Sequence, residues 1–474
     1  MLCFQEKRSK RGVPPGAAGG AAPVGCGDDV CSSDLAPSEP VRDARKLGVG
    51  KMLILGIQHM FAMFGATVLV PIVTGLSVQV TLICAGLGTL FFHLCTKFKV
   101  PAFLGSSFAF LGGFAAVKLL DTGIYAGLTD AEKLPYACGG IVVAGLLYLV
   151  LAAVIKVVGV QRVMRFLPPV VTGPIIILIG LILAPSAVTN ASENWWLAAL
   201  SVIVVIACNM WGKGMIKIIP ILMGVLVPYV VALCCGMIDF SSVAQADIVG
   251  LPPFQMAKFD LSAILIMAPI AIASMMEHIG DISAISATCG ENYIENPGLH
   301  RSLIGDGLAT SLAALFGGPA NTTYGENTGV LVLSRVYDPR VIRIAAYGAI
   351  ILSFSPAFAE IIHSIPTAII GGVSFVLYGM ISAVGVRNVV ENKVDFTNTR
   401  NLLIAAVILV SGLGFDGVGG LTFTFGGSSL TLTGLAIAAI LGILLNAILP
   451  GKDYQFGNDL QGDTSVTFQS NMKK

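Results

Sequence analysis

Two short runs place carboxylates inside otherwise apolar sequence. The run at 276–281 reads MEHIGD and holds Glu277, and the run at 321–327 reads NTTYGEN and holds Glu326. An ionised side chain at bilayer depth costs roughly 3 kcal/mol or more, so such residues mark ion or substrate sites by default. An ionised carboxylate accepts hydrogen bonds from N–H or O–H donors. The two runs are therefore the first candidates for a binding site.

The composition indicates the class of protein that carries these acids. Hydrophobic residues make up 55% of 474 positions, charged residues only 12%, and the mean hydropathy is +0.85. Long apolar stretches rich in glycine are typical of polytopic α-helical membrane proteins, whereas a soluble enzyme carries roughly twice this charged fraction. The net charge of +1 gives no bias toward nucleic acid. The sequence contains no P-loop, HExxH, GxSxG or CxxC motif, so we expect neither ATP-driven transport, an enzyme, a metal site nor a cofactor.

The ends of the chain differ from its middle. Residues 1–46 combine a basic run with Gly/Ala/Pro-rich sequence and lack the apolar core of a signal peptide, which predicts a disordered N-terminal tail. Residues 451–474 are predicted to form a cytoplasmic tail.

Hydropathy between these tails predicts an all-α polytopic protein with about fourteen transmembrane segments, some of them short. If the N-terminus lies inside and the chain crosses fourteen times, 25 of the 28 Lys and Arg residues face the cytoplasm. The three exceptions are Lys118, Lys133 and Lys258. Because the positive-inside rule is sensitive to an error of one span, this distribution favours fourteen spans and places both termini in the cytoplasm.

The two halves of the chain resemble each other at an offset of about 220 residues. Matching pairs are Gln58-His59 with Glu277-His278, the GLGT at 86–89 with the GLAT at 307–310, and Pro101 with Pro319. Seven spans is an odd number, so the second copy enters the membrane upside down. A 7+7 inverted repeat with interrupted helices is typical of secondary transporters, whose site lies near the midplane.

The interrupted helices are segments 3 and 10. Proline and glycine near the start of 100–113 and 317–330 disfavour helix there, and non-helical backbone is tolerated at this depth only inside protein or along a cavity. We expect each segment to form a short β-strand and then a half-helix, with the two strands paired. The half-helix N-termini near Ser107 and Gly325 would direct N–H donors at a ligand.

These groups together suit a flat heterocycle. Glu277 and Glu326 would accept from its N–H groups, backbone N–H groups would donate to its carbonyls, and Phe108 would stack on its face. Uracil has such an edge.

Three runs then show a specific resemblance. QHMFAMFGATVLVP at 58–71, LGSSFAF at 104–110 and NTTYGEN at 321–327 resemble the bacterial uracil permeases of the nucleobase–cation symporter (nucleobase–ascorbate transporter) family, and the similarity spans roughly residues 48–450. The resemblance implies import of uracil or a close pyrimidine by cation symport, in a plasma (inner) membrane, by a homodimer that associates through its gate domains. It also implies alternating access between a core domain (47–160 with segments 1–4, and 260–364 with segments 8–11) and a gate domain (161–259 with segments 5–7, and 365–450 with segments 12–14).

The resemblance also implies a ligand site. The matching substrate-binding positions are Phe108, Glu277, Tyr324, Gly325, Glu326 and Tyr378. Ion coupling is expected of Glu277, Asp281 and His59. The best-known proton-coupled member has histidine where this chain has Asp281, one helical turn after Glu277. A second carboxylate accepts a proton or binds Na⁺ equally well, so the coupling ion stays open between H⁺ and Na⁺.

Other interpretations remain at this stage. Glu277 could bond only a neighbouring helix, Asp281 could be interfacial, and His59 and Phe108 could serve packing alone. Purine-type relatives tend to carry Gln at the position of Glu326, which favours a pyrimidine, but a xanthine, urate or guanine permease is the near alternative. An anion exchanger or channel of related fold is a more distant one, because acids at 277 and 326 would repel an anion.

Overall fold

The computed structural model describes residues 40–121, 123–213, 215–425 and 428–451. These residues are mostly helical. The helices of the first half are α1 (Val49–Thr74), α2 (Val78–Cys95), α3 (Leu111–Lys118), α4 (Asp130–Val158), α5 (Val160–Met164), α6 (Pro169–Ser192), α7 (Trp195–Trp211), α8 (Met215–Ile218), α9 (Pro220–Cys234) and α10 (Ser241–Gln245). Those of the second half are α11 (Leu261–Met267), α12 (Ile270–Cys289), α13 (Leu299–Leu315), α14 (Gly325–Ser334), α15 (Pro339–Ser353), α16 (Pro356–His363), α17 (Thr367–Glu391), α18 (Thr399–Gly417) and α19 (Gly434–Ile448).

Local sequence explains where the helices begin and end. The Ser77 side chain accepts from the N–H of Val80 at the start of α2, and Thr129 forms a capping box with Glu132 at the start of α4. Gly75 ends α1 with φ 83°, a left-handed conformation that glycine adopts without strain.

Seven of the described helical spans are long and apolar enough to cross a membrane, and an eighth results if α15 and α16, bent by 90°, count as one. Four shorter apolar helices add to them: Phe108–Lys118, Trp195–Trp211, Pro220–Cys234 and Gly434–Ile448. The chain is therefore a multi-pass membrane protein, and fourteen spans stays a prediction.

One short strand interrupts the helices in each half of the chain, after α2 in the first and after α13 in the second. β1 (Leu104–Ser106) pairs antiparallel with β2 (Asn321–Thr323), with Gly105 opposite Thr322. A threonine completes the hydrogen bonding of each strand: Thr89 Oγ1 accepts from the N–H of Leu104 at 2.9 Å, and Thr310 Oγ1 accepts from the N–H of Asn321 at 3.1 Å. A single 3₁₀ turn, Phe108–Phe110, leads from β1 into α3, and α14 follows β2. All of these strand residues are buried, so their backbone polar groups need partners from the protein.

A β-hairpin follows α18, and the sequence analysis did not predict it. β3 (Leu421–Phe425) and β4 (Ser428–Leu432) pair antiparallel between α18 and α19, and β4 packs beside α11. The alternation of Leu421 and Phe423 with threonine is the strand signal that span counting passed over.

Residues 40–46, which the sequence assigns to the disordered tail, make defined contacts with the rest of the described protein; residues 1–39 lie outside the described residues. Val41 forms a parallel bridge with Val336, and the Ala44 N–H donates to Asp338 Oδ2 at 2.8 Å. Asp43 pairs with Arg340 at 2.8 Å. Burial of Ala44 and these polar contacts fix a segment that composition alone marks as unstructured. Of the predicted C-terminal tail, 451–474, only residue 451 belongs to the described residues.

The helices pack in two sets of contacts. α6 and α17 lie side by side, with α7, α9, α18 and α19 against them, whereas α13 packs on α2 and α4, and α15 packs on α1 and α2. α12 touches both sets, because it contacts α4, α6, α14 and α19. The acids Glu277 and Asp281 thus lie on the helix at which the two sets meet.

Candidate functional site

α12 carries two of the predicted site residues. Glu277 and Asp281 are half-buried on this helix, one turn apart. The Thr323 hydroxyl at the end of β2 donates to Asp281 Oδ2 at 3.3 Å. The next element begins two residues later, and Asp281 Oδ1 lies 3.8 Å from the position that a Cβ on Gly325 would occupy. The structure thus brings Asp281 beside the N-terminus of α14.

Tyr324 links the two strands rather than exposing its side chain. Its N–H donates to the Phe103 carbonyl at 3.0 Å, and its hydroxyl lies 3.1 Å from the carbonyl of Ser106 and 3.3 Å from Thr67 Oγ1. The ring packs on Gly105, where a Cβ would overlap it. Of the predicted pair Tyr324 and Gly325, Gly325 therefore presents the half-helix start, whose first N–H groups have no partner within the helix.

Glu326 is the second residue of α14, and its side chain lies outside the described part of the structure. The following residue, Asn327, is buried and its Nδ2 donates both to Nδ1 and to the carbonyl of His59, each at 3.1 Å. Since Nδ1 accepts, the ring carries its proton on Nε2. His59 is thereby fixed on α1 against the half-helix that bears Glu326.

Phe108 and Tyr378 meet across the two helix sets. Their rings form a T-shaped pair with centroids 6.0 Å apart and an interplanar angle of 72°, and both residues are buried. Phe108 begins the 3₁₀ turn after β1, whereas Tyr378 belongs to α17. A small, mainly apolar cavity lies on the Phe108 side, lined by Phe108, Ala109, Ile179, Leu183, Ile270 and Asp416. Among the predicted residues, this pair is the clearest contact.

Several buried polar atoms around the broken segments have no hydrogen-bond partner among the described residues. They include Ser107 Oγ at the turn before Phe108, Thr322 Oγ1 on β2, His59 Nε2 and Asn327 Oδ1. Each buried group left unpaired costs about 1–3 kcal/mol, so a polar ligand or water that engaged them would recover that cost. The described residues hold no cluster of three or more His, Cys, Asp or Glu side chains that suits a metal ion.

The sequence analysis did not single out three polar residues of this region: Thr323, Asn327 and His278. His278 Nδ1 lies 2.9 Å from Asp306 Oδ2, and both side chains are fully buried. A signal existed in each case, because Thr323 and Asn327 flank the Glu326 motif and His278 follows Glu277 directly. The pairing itself depends on distances between elements that sequence does not give.

Comparison with known proteins gives a consistent result. A model of the permease family matches residues 50–419. The uracil permease of Bacillus caldolyticus is 43% identical over 431 residues, which cover 88% of this chain and 96% of that protein. The uracil permease of Bacillus subtilis (strain 168) is 40% identical over 428 residues, covering 86% and 94%. The putative pyrimidine permease RutG of Escherichia coli (strain K12) is 38% identical over 431 residues, covering 89% and 93%.

Solved structures resemble the fold at much lower identity. The transmembrane domain of the cyanobacterial bicarbonate transporter BicA aligns with a TM-score of 0.57 at 15% identity, over 86% of this chain and 99% of that one. The structure of SLC26A9 aligns with a TM-score of 0.61 at 11% identity, over 84% and 64%. At these identities the likeness concerns the fold alone.

Proposed function

The chain belongs to the permease family, which confirms the resemblance in its sequence, and we propose that it imports uracil or a close pyrimidine by cation symport. The observation that carries the proposal is the identity of 43% with a uracil permease across 96% of that relative's length. The geometry of the broken segments also supports this proposal. β1 and β2 pair and so hold the two broken segments together, α12 contacts both the turn at Phe108 and α14, and Phe108 and Tyr378 form a buried aromatic pair.

In the proposed complex each group has a separate role. Phe108 packs on the face of the pyrimidine ring, and Tyr378 closes its edge from the other helix set. The carboxylates of Glu277 and Glu326 accept the ring N–H groups, and the N–H groups at Gly325 donate to a carbonyl. His59 supplies an Nε2–H donor beside α14. Such a site favours a neutral heterocycle over an anion, because its acids repel negative charge.

Transport would proceed by movement of a core domain (47–160 and 260–364) against a gate domain (161–259 and 365–450). The grouping of the helix contacts supports this division. α1, α2, α4, α13 and α15 pack on one another, and α6, α7, α9, α17, α18 and α19 pack on one another, with α1 also touching α9. Phe108 and Tyr378 belong one to each proposed domain. Sliding of one domain past the other would therefore separate this pair and open the site.

The inverted repeat also gains support from paired contacts. α2 corresponds to α13 and α4 to α15, and α4 packs on α13 as α15 packs on α2. Likewise α7 contacts α9 and α17, as α18 contacts α19 and α6. Thr89 and Thr310, matched in sequence, each bond the strand that follows them. Two halves that repeat both elements and contacts are the architecture from which alternating access arises.

The coupling cation is proposed to act on Asp281, Glu277 and His59. Asp281 lies at the boundary between the helix sets and beside Gly325, so its negative charge changes the electrostatic potential at the proposed ligand site. Neutralising it with H⁺ or Na⁺ would lower the cost of moving the site past apolar helices. Association of two copies through the gate domains is part of the same proposal.

Uptake of radiolabelled uracil into proteoliposomes tests the function. We expect accumulation when either a pH gradient or a Na⁺ gradient is imposed, inward, and none without a gradient. Unlabelled uracil should compete fully. Full competition by xanthine with no competition by uracil would instead identify a purine permease, and bicarbonate-dependent flux without uracil uptake would identify an anion carrier.

A matched pair of variants tests the site. Glu277→Gln should reduce uracil uptake about a hundredfold, because a charged hydrogen bond contributes roughly 1.5–3 kcal/mol and an amide places a donor against the ring N–H. Glu360→Gln, on α16 and away from α12, is the control and should leave uptake unchanged. Wild-type uptake by the Glu277→Gln variant would refute the site.

A further inference from the structure

We propose that the chain crosses from the gate domain to the core domain at residues 239–240, and that the arm that follows, residues 241–259, is carried by the core domain. The inference deepens the proposed function and rests on it, because an arm is carried by one domain only if the two domains move against each other. The sequence places the same crossing at residue 259. No residue of the proposed ligand site belongs to the arm.

The residues just before the crossing pack on the gate helices. After the last turn of α9, the N–H of Met237 donates to the Ala232 carbonyl of that helix at 3.0 Å. The side chain of Ile238 packs on a buried cluster that α7, α9 and α17 form, to which Leu197 and Ile369 belong. The chain therefore packs with the gate helices as far as residue 238.

The residues just after the crossing pack on the core helices instead. α10 lies on α16, and residues 246–259 form no helix or strand. Five backbone hydrogen bonds join this stretch to the core: Gly250 N–H to the Phe354 carbonyl at 2.8 Å, Ala357 N–H to the Asp247 carbonyl at 3.0 Å, Gln255 N–H to the Phe316 carbonyl at 3.3 Å, Ala257 N–H to the Leu315 carbonyl at 3.0 Å, and Lys258 N–H to the Pro135 carbonyl at 2.9 Å. Among the described residues, every hydrogen bond from the arm to a distant segment ends on α4, α13, α15, α16 or the residue that follows one of them.

Two glycines of the core let the arm approach backbone to backbone. A Cβ on Gly139 of α4 would overlap the carbonyl oxygen of Lys258, and a Cβ on Gly317 would lie 2.6 Å from the carbonyl oxygen of Gln255. A side chain at either place would hold the arm away from the core. Because the contact is this close, sliding of the arm along the core would break its hydrogen bonds together and leave their N–H and carbonyl groups without partners.

The chain returns from the core to the gate beside the first crossing. The hydroxyl of Ser364, directly after α16, lies 2.6 Å from the hydroxyl of Tyr229 on α9. Ile365 packs on the same gate cluster as Ile238. Since α10 lies on α16, the crossings at 239–240 and 364–365 are neighbours. Two adjacent crossings at the ends of helices are the arrangement of a hinge, in which a few residues absorb the movement.

Two engineered disulfides distinguish an arm carried by the core from an arm carried by the gate. A Cβ on Gly250 would lie 2.7 Å from Cγ of Pro356, and a Cβ on Gly65 would lie 3.3 Å from Cβ of Ile221. Disulfides join Cβ atoms about 3.5–4.5 Å apart, so small local shifts suffice for both pairs. Gly250→Cys with Pro356→Cys ties the arm to α16 of the core. Gly65→Cys with Ile221→Cys ties α1 of the core to α9 of the gate.

The measured quantity is uracil uptake into proteoliposomes after oxidation, divided by uptake of the same variant after reduction. We expect the arm–core pair to keep this ratio within about twofold of one, and the core–gate pair to lower it about tenfold or more, because only the second bridge spans parts that move. Mass spectrometry of the linked peptides establishes that each bridge has formed. The four single-cysteine variants are the controls for native cysteines and should show a ratio near one.

The two ratios also keep the proposal apart from the function on which it rests. Loss of uptake on oxidation of both double variants would overturn the proposal, because the arm would then move with the gate. Full uptake by the oxidised core–gate variant would refute the movement of the domains. Absence of uracil uptake by the wild type would refute the proposed function.

Hydrogen exchange of the wild type gives a readout that needs no variant. The amides of Gly250, Ala257 and Lys258 should exchange at the same rate with and without uracil, because their carbonyl acceptors move with them; exchange about tenfold faster in either condition would overturn carriage by the core. Gly139→Ala should speed exchange at Ala257 and Lys258 about tenfold by displacing the arm, whereas Gly414→Ala should leave it unchanged. Wild-type exchange in the Gly139→Ala protein would overturn the docking of the arm.

Discussion

Gly105 provides the sharpest test of how the broken segments are held. Gly105 lies in β1 opposite Thr322, and a Cβ added there would overlap the ring of Tyr324. The ring cannot swing aside freely, because its hydroxyl lies 3.1 Å from the Ser106 carbonyl and 3.3 Å from Thr67 Oγ1. Overpacking costs about 1–3 kcal/mol, and a lost neutral hydrogen bond adds about 1 kcal/mol. Gly105→Ala should therefore destabilise the protein by about 2–4 kcal/mol.

The assay is the apparent melting temperature of purified protein in detergent, together with uracil uptake. Gly414→Ala on α18 is the matched control, since no atom lies within 4 Å of its added Cβ. Alanine there should be neutral or stabilising by about 0.5–1 kcal/mol, as in any helix interior. In a Tyr324→Ala background the Gly105→Ala penalty should fall below about 1 kcal/mol, because the collision is gone. A Gly105→Ala protein as stable as the Gly414→Ala control would refute the packing of Tyr324 on β1.

Three further outcomes are expected. Phe108→Leu should raise the KM for uracil about tenfold, because the stacking contribution of an aromatic ring is about 0.5–1.5 kcal/mol beyond its buried area; unchanged kinetics of uptake would contradict the aromatic contact. Asn327→Asp should lower both the melting temperature and uracil uptake, because a carboxylate would face the carbonyl and Nδ1 of His59, to which the amide now donates at 3.1 Å. Wild-type uptake by the Asn327→Asp protein would exclude this link between α1 and α14. Arg400→Ala should destabilise the protein by about 2–4 kcal/mol, because the guanidinium donates to the carbonyl and Oδ1 of Asn446 at 3.0 and 2.6 Å. The melting curve of the purified variant measures this loss. A curve like that of wild type would show that water replaces these hydrogen bonds.

Much of the architecture around the site follows from the sequence. The strands at Leu104–Ser106 and Asn321–Thr323 lie within the two segments in which proline and glycine disfavour helix. The matched residues Thr89 and Thr310 occupy equivalent places beside these strands. Interruption of an apolar helix by such residues is a local property, so the sequence carries it directly.

The side-chain partners could not be obtained in this way. The sequence marks Tyr324 as part of the predicted ligand site, but it does not show that the ring packs on Gly105 and that the hydroxyl bonds within the protein. His278 and Asp306 are separated by an interhelical loop, and their 2.9 Å contact depends on how α12 and α13 pack. Such pairings arise from tertiary packing, on which periodicity and motif spacing have no bearing.

The contacts of residues 40–46 and the β3–β4 hairpin were missed for simpler reasons. The sequence before residue 47 has no long apolar run, but Ala44 is buried through contacts with Val336 and Val341, far away in sequence. β3 and β4 show the alternation of a strand, but they lie between two apolar helices, where a loop is the ordinary expectation.

Equilibrium binding of labelled uracil to the purified protein tests the central claim most directly, because it separates recognition from the movement of the domains. We expect saturable uracil binding by wild type that unlabelled uracil displaces and xanthine does not, and loss of that binding in Glu277→Gln but not in Glu360→Gln. Undiminished uracil binding by the Glu277→Gln variant, or the absence of specific binding by wild type, would contradict the account.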